Sequence, residues 1–272
     1  MSNLKKFVIN MLYKLTGNTI SQWIIEKIFY LARLMLGIGT ASFPVDSGEK
    51  KIFDYLKESF ADNQEPLVIF DVGANKGQFL ELTLQELLNV KYLIYCFEPV
   101  VFAYKELNQK YGDLDNVFLE KFGLDNIEHE SKIFYDFPGS LRASKFQRDL
   151  RHLDVYFSES EIVKYLTLDE YCFNRGILKI DLLKLDVEGN ELNVLKGAEG
   201  LLQKGVIKVI TFEFGRAQID SGTFFKDYYY YLLSFGMNSL FRILPNGYLK
   251  SIEKYNEKYE IFFTTNYIAI MK

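Results

Sequence analysis

The chain holds two cysteines and two histidines among 272 residues, and each scarcity excludes something. Cys96 and Cys172 lie in apolar surroundings and are not spaced as a CxxC pair, so neither a zinc site nor a disulfide framework is expected. A reducing compartment, the cytoplasm, fits that usage best. Surplus positive charge is missing too: 32 Lys and Arg against 36 Asp and Glu give −4, which offers no global pull toward nucleic acid. The chain also lacks an uninterrupted apolar run of membrane-spanning length. The stretch WIIEKIFYLARLMLGIG, Trp23 to Gly39, carries Glu26, Lys27 and Arg33 and falls short of the ~20 residues a spanning helix needs. Met1 to Leu15 is broken by Asn10 and Lys14 and is followed by no small-residue cleavage site, so no secretory leader is expected. There is no internal repeat and no low-complexity tract.

What is present is an ordinary globular composition, 49% apolar and 16% aromatic, long enough to bury one substantial core. The economical division is an N-terminal helical extension over 1–60 and a main domain over 61–272. Thr19 and Gln22 have capping-box spacing, and Ile24, Ile28, Leu31 and Met35 recur in helical register, predicting an amphipathic helix to about Leu36 that Gly37 and Gly39 end. Such a helix packs on the main domain or on a homodimer partner, or else docks peripherally on a membrane surface or a lipid-linked glycan.

From Leu67 onward, short apolar runs alternate with helical segments: LVIF, YLIYCF, NVFLEKF, DLLKLDV and VIKVITFEF. Strands apolar on both faces are what a parallel sheet covered by helices requires, so the fold class is an α/β sandwich. Gln78 to Val90, with apolar Phe79, Leu82, Leu87 and Leu88, reads as one crossover helix. A second, capped by Asn190, would bury Leu192, Leu195, Ala198 and Leu202. A helix from Phe224 to Phe235, the Pro245-Asn246-Gly247 turn and a last strand in NYIAIMK predict an antiparallel finish.

The segment VIFDVGANKGQF, Val68 to Phe79, joins an apolar strand to a helix through a glycine turn, which presents free backbone N–H groups to a ligand. Two ligand classes use that geometry, dinucleotides and S-adenosylmethionine. Asp71 at the strand tip repels a pyrophosphate and attracts an ammonium, and Asn75 stands where a dinucleotide turn carries another glycine. Glu98 at the end of the next strand can bind ribose hydroxyls in either case.

FDVGANKGQF, YCFEP, LTLDEY, LLKLDVEGNELNVLKGAE, TFEFG and TTNYIAI, in that order, resemble the FkbM family of S-adenosylmethionine-dependent methyltransferases from Leu67 to Lys272. The resemblance implies a Rossmann-like class I sandwich with a mostly parallel seven-stranded sheet, and methylation of a hydroxyl, often on a sugar or polyketide. It also implies that Asp71, Gly73, Ala74, Asn75 and Gly77 hold the methionine part, Glu98 and Pro99 the ribose, and Gly123 and Leu124 the adenine, with Gly123 standing where an alanine is more usual.

Methyl transfer to a hydroxyl needs alignment and a proton acceptor. Asp186, Glu188 and Glu213, at the ends of two successive strands, rank in that order as the base, with Asp186 also near the cofactor; no spacing suits a divalent metal. His152 is a further base candidate. Arg142, Lys145, Arg148 and Arg151 would form one basic stripe if Leu141 to Leu153 were helical, either solvated or facing an anionic glycan. The aromatic run FFKDYYYYLLSFG is either core or a stacking platform for a sugar ring. Two other readings stand beside the sugar O-methyltransferase: a nicotinamide-dependent oxidoreductase or epimerase, against which the lack of a Tyr-xxx-Lys pair counts, and a catalytically silent subunit of a glycan-assembly complex.

Overall fold

The computed structural model describes residues 3–40, 47–60 and 65–271. Helices α1 (Asn3–Thr16) and α2 (Thr19–Met35) come first, then α3 (Lys50–Ser59). The main sheet is built from β1 (Leu67–Val72), β2 (Tyr92–Phe97) and β3 (Val117–Glu120), then β7 (Ile180–Leu185), β8 (Ile207–Phe214), β9 (Ser239–Ile243), β10 (Leu249–Ser251) and β11 (Thr265–Ile270). Its spatial order is β10-β9-β11-β8-β7-β1-β2-β3. Strands β3, β2, β1, β7 and β8 pair in parallel, and β11 inserts antiparallel between β8 and β9. The antiparallel finish is therefore present, and the seven expected strands gain an eighth because the Pro-Asn-Gly turn folds β10 back onto β9.

Side-chain alternation divides the core between the two faces of this sheet. From β1, Val68, Phe70 and Val72 point into one cluster with Leu183 and Leu185 of β7, while Leu67 and Ile69 point into the other with Leu182. Helices α4 (Gln78–Glu86) and α5 (Val101–Tyr111) make the crossovers of the second face. The first face is covered by α6 (Leu168–Arg175), α7 (Glu191–Lys196), α8 (Glu199–Gln203) and α10 (Phe225–Ser234), and the short α9 (Ala217–Ser221) follows β8. The crossover read as one helix after Asn190 is two: Leu192, Leu195, Ala198 and Leu202 are all buried, but the carboxylate of Asp169 accepts the N–H groups of Gly200 and Leu201 and starts α8 afresh. Asn190 holds the N-cap position of α7 as expected, but its side chain makes no capping hydrogen bond and its amide instead donates to the carbonyl of Leu124. Likewise α2 is capped by Asn18, which accepts from Ser21 N–H, and not by Thr19. Leu88, expected on the buried face of α4, lies beyond the helix end and is exposed.

A small sheet of β4 (Gly123–Leu124), β6 (Glu159–Leu166) and β5 (His129–Tyr135), absent from the sequence reading, forms a lip beside the carboxyl ends of the main strands. The segment between β5 and β6 is irregular, with one short 3-10 turn at Arg151–Leu153, so the basic residues from Arg142 to Arg151 do not form a helical stripe.

The expected division between residues 60 and 61 falls against residues outside those described. On its N-terminal side α3 already belongs to the core, because Ile52, Phe53 and Leu56 are buried with β1, β2 and β7. Helices α1 and α2 do not pack this way. Phe53→Ala is accordingly expected to lower unfolding free energy by about 3–5 kcal/mol in urea denaturation. Ile28→Ala on α2 should change it by less than about 0.5 kcal/mol.

Candidate active site

At the carboxyl ends of β1, β2, β7 and β8 a cleft of ≈ 750 Å³ opens, the place where sheets of this kind receive ligands. The turn from β1 into α4 forms one wall. Gly73 has φ +84°, and a Cβ there would lie 1.8 Å from the carbonyl oxygen of Asp186, so the turn can pass β7 only without a side chain. Asn75 adopts a left-handed φ of 48°, which explains both why glycine is common at such a position and why asparagine substitutes for it. Gly77, φ +91°, starts α4 and makes room for Tyr111; it does not line the cleft.

Glu98 follows β2 and is buried. Its two carboxylate oxygens accept the N–H groups of Asn75 and Val100, both at 2.8 Å, so it holds the glycine turn in place while facing the cleft. Burial raises its pKa to about 7 against the lowering effect of those two N–H donors. Ala74, Pro99, Gly123 and Leu124 line the same cleft. A Cβ on Gly123 would meet the Tyr165 ring at 2.5 Å, which accounts for glycine where alanine is usual.

Asp71 differs from its sequence reading. It is fully buried, does not line the cleft, and meets Lys184 of β7 at 3.0 Å, so the structure sets it behind the cleft floor. Lys184 went unnoticed in the sequence because it sits inside an apolar run. Its ammonium stands 3.5 Å from Asp186, and Glu49, buried just before α3, adds a third carboxylate to its field. Burial pulls the Lys184 pKa down, but Asp71, Asp186 and Glu49 outweigh it and raise it. One ammonium cannot compensate three carboxylates, and burial pushes Asp71 and Glu49 up.

The carboxylates expected as bases do converge on the cleft. The Asp186 side chain remains 42% exposed beside Lys184. Glu188, in a left-handed conformation, is ion-paired to the buried Arg148, which also reaches Asp220 at 3.3 Å. Burial raises Glu188 to about 7 against Arg148. Glu213 is pushed well above its usual range by burial and by Asp186 and Glu188. A fourth acid, Glu191, was missed as a site residue although it lies in the DVEGNE run. It accepts the N–H groups of Val187 and Gly189 and the amide of Gln218, locking the loop that carries Asp186 and Glu188.

His152 is exposed in the 3-10 turn and is not among the cleft residues, so the structure does not bring it to the carboxylates. Arg142, Lys145 and Arg148 line the cleft despite the missing helix, whereas Arg151 pairs with Asp149 on the surface. Lys145 is paired with the buried Asp125. No residue of the aromatic run lines the cleft: Phe225, Tyr228, Tyr229 and Leu232 are core, which removes the stacking platform.

Residues 71–238 match the Methyltransferase FkbM domain. The chain belongs to the FkbM methyltransferase family. Among curated proteins it is 30% identical over 161 residues to the 2-O-methyltransferase NoeI of Sinorhizobium fredii, a match covering 54% of this chain and 63% of that protein. The chain thus spans somewhat less than two thirds of that relative. Among solved structures, the methyltransferase FkbM from Methylobacillus flagellatus aligns over 79% of this chain and 47% of its own, at 14% identity and TM-score 0.46. Magnesium protoporphyrin IX methyltransferase from Synechocystis aligns over 98% and 97%, at 14% identity and TM-score 0.40.

S-adenosylmethionine is the cofactor expected of this family, and the residues present fit it. The glycine cradle admits backbone contact, and the side-chain oxygens of Asn75 and Thr211 line the cleft buried and without a hydrogen-bond partner.

Removing the central cation should be costly. Lys184→Met is expected to lose about 3–5 kcal/mol of stability at pH 8. Burial already raises the Asp71 and Glu49 pKa values, so their protonated forms favour the fold and their ionised forms oppose it. The loss should therefore shrink as pH falls toward 5, and denaturant midpoints of both proteins at the two pH values measure it.

Proposed function

We propose that this protein is an S-adenosylmethionine-dependent O-methyltransferase acting on a hydroxyl of a sugar or glycan. The observation that carries the reading is the placement of Asp186. It is a partly exposed carboxylate at the carboxyl end of β7, opening into the same cleft as the glycine turn and Glu98. The curated relative's 2-O-methyltransferase activity supports oxygen as the atom methylated.

Gly73, Ala74 and Asn75 bind the methionine end through their backbone, Glu98 and Pro99 the ribose, and Gly123 and Leu124 the adenine. The cofactor, when bound, supplies an electrophilic methyl on a sulfonium. Asp186 accepts the hydroxyl proton, and Lys184, 3.5 Å from it, keeps that carboxylate in place. Glu188 is a weaker candidate because Arg148 occupies its carboxylate. Glu213 lines the same cleft, but burial and then its acidic neighbours Asp186 and Glu188 disfavour its charged form, so it ranks below Asp186 as the base. Arg142, half-exposed at the rim with Asp136 at 3.5 Å, suits an acceptor bearing phosphate or carboxylate. The two buried free thiols fit a cytoplasmic setting.

Incubation with S-adenosylmethionine and host glycans or nucleotide sugars should give a product carrying one extra methyl by mass spectrometry. Asp186→Asn should lower kcat by about 10²–10⁴ while S-adenosylhomocysteine affinity changes far less. An Asp186→Asn enzyme with full kcat would show that another group takes the proton.

A further inference from the structure

The helical pair α1–α2 is joined to the body at the carboxyl end of α2. There Arg33 donates to the carbonyl of Ile38 and lies 3.9 Å over the Phe263 ring, and Gly39 N–H reaches Thr265. A Cβ on Gly39 would lie 1.9 Å from the Arg33 guanidinium, so the glycine permits the joint. Away from it the pair leaves large apolar side chains in water. Ile20, Trp23, Ile28, Phe29, Leu31 and Met35 of α2 are each more than half exposed, and Phe7, Tyr13 and Leu15 of α1 likewise. Soluble proteins rarely leave so continuous an apolar surface in water, and a helix apolar nearly all round needs an apolar medium.

Two observations choose the medium. The first is charge. These helices carry Lys5, Lys6, Lys14, Lys27 and Arg33 against the one acid Glu26, within a chain whose net charge is −4. Positive charge is concentrated where the apolar surface is, and it complements an anionic headgroup layer. The second is length. No described helix is long and apolar enough to cross a membrane, so the pair lies in the interface and does not span it.

We propose that the α1–α2 hairpin docks this protein on the surface of anionic lipid bilayers. Lysine stems lie along the acyl boundary with their ammonium groups among the phosphates, and the apolar faces enter the bilayer. Tyr30, Arg33 and Leu34, on the docking element itself, also line the cleft. Docking therefore brings the mouth of the cleft to the membrane, where an acceptor carried on a lipid would be presented. The docking stands on the hairpin alone and does not depend on methyl transfer.

Trp23 is the chain's single tryptophan and is exposed on α2, so intrinsic emission reports on this surface alone. With the full chain, phosphatidylcholine vesicles containing phosphatidylglycerol should shift Trp23 emission to the blue and co-sediment the protein. Pure phosphatidylcholine should do so far less, and high salt should weaken the effect. The combined substitutions Lys5→Glu, Lys14→Glu and Lys27→Glu, with unchanged circular dichroism, should reduce partitioning by at least about 10-fold. Unchanged emission with anionic vesicles would overturn the proposal. So would equal binding to uncharged vesicles, or a stable dimer in which Trp23 is already buried without lipid.

Discussion

A single buried ammonium organises the floor of the cleft. Lys184 projects from the middle strand of the sheet toward the second core. There it is shared by Asp71 of the neighbouring strand, Asp186 at its own strand's end and Glu49 from the segment leading into α3. Burying charge is costly unless opposite charges are close, so these four groups are interdependent. The arrangement ties the entry of α3 to the sheet, fixes the carboxyl end of β7 beside the glycine turn, and gathers three carboxylates around one ammonium at the floor of the cleft. Three carboxylates about one ammonium beside the glycine turn suit a cationic group there better than the pyrophosphate that the same turn holds in dinucleotide folds.

The parallel sheet was legible because strands covered on both faces read as continuous apolar runs, and the glycine turn because backbone crowding leaves few residue types for it. The carboxylates of the cleft were legible by position, at strand ends. The ammonium that holds them was not, since a lysine flanked by leucines in DLLKLDV reads as a core strand with a surface residue. Asp71 was placed in the ligand site because strand-tip position says nothing about which face a side chain takes. Its pairing with Lys184 on the second-core side decides that.

Other features stayed hidden for related reasons. Strands β5 and β6 carry mixed polar and apolar side chains on a lip that is half in water, so no clean period marks them. The basic spacing from Arg142 to Arg151 imitates a helix, but its members are drawn apart by separate partners: Asp136, Asp125, Glu188 and Asp149. The tyrosine run of α10 is long enough to look like a platform, and its register instead buries Phe225 and Tyr228 against Phe212, Phe214 and Tyr267. Conversely, Asn75 looked like a departure from a motif and is explained by its own backbone, a left-handed position whose N–H is held by Glu98.

The claim on which the rest stands is that this turn and Glu98 form the binding site for a methyl donor. Titration calorimetry of the folded protein with S-adenosylhomocysteine, with NADH as the comparison ligand, tests it most directly. The account predicts saturable one-to-one binding of S-adenosylhomocysteine, none of NADH, and loss of the former in Gly73→Ala, whose Cβ would collide with the Asp186 carbonyl. Binding of NADH in its place, or S-adenosylhomocysteine affinity unchanged by Gly73→Ala, would contradict it.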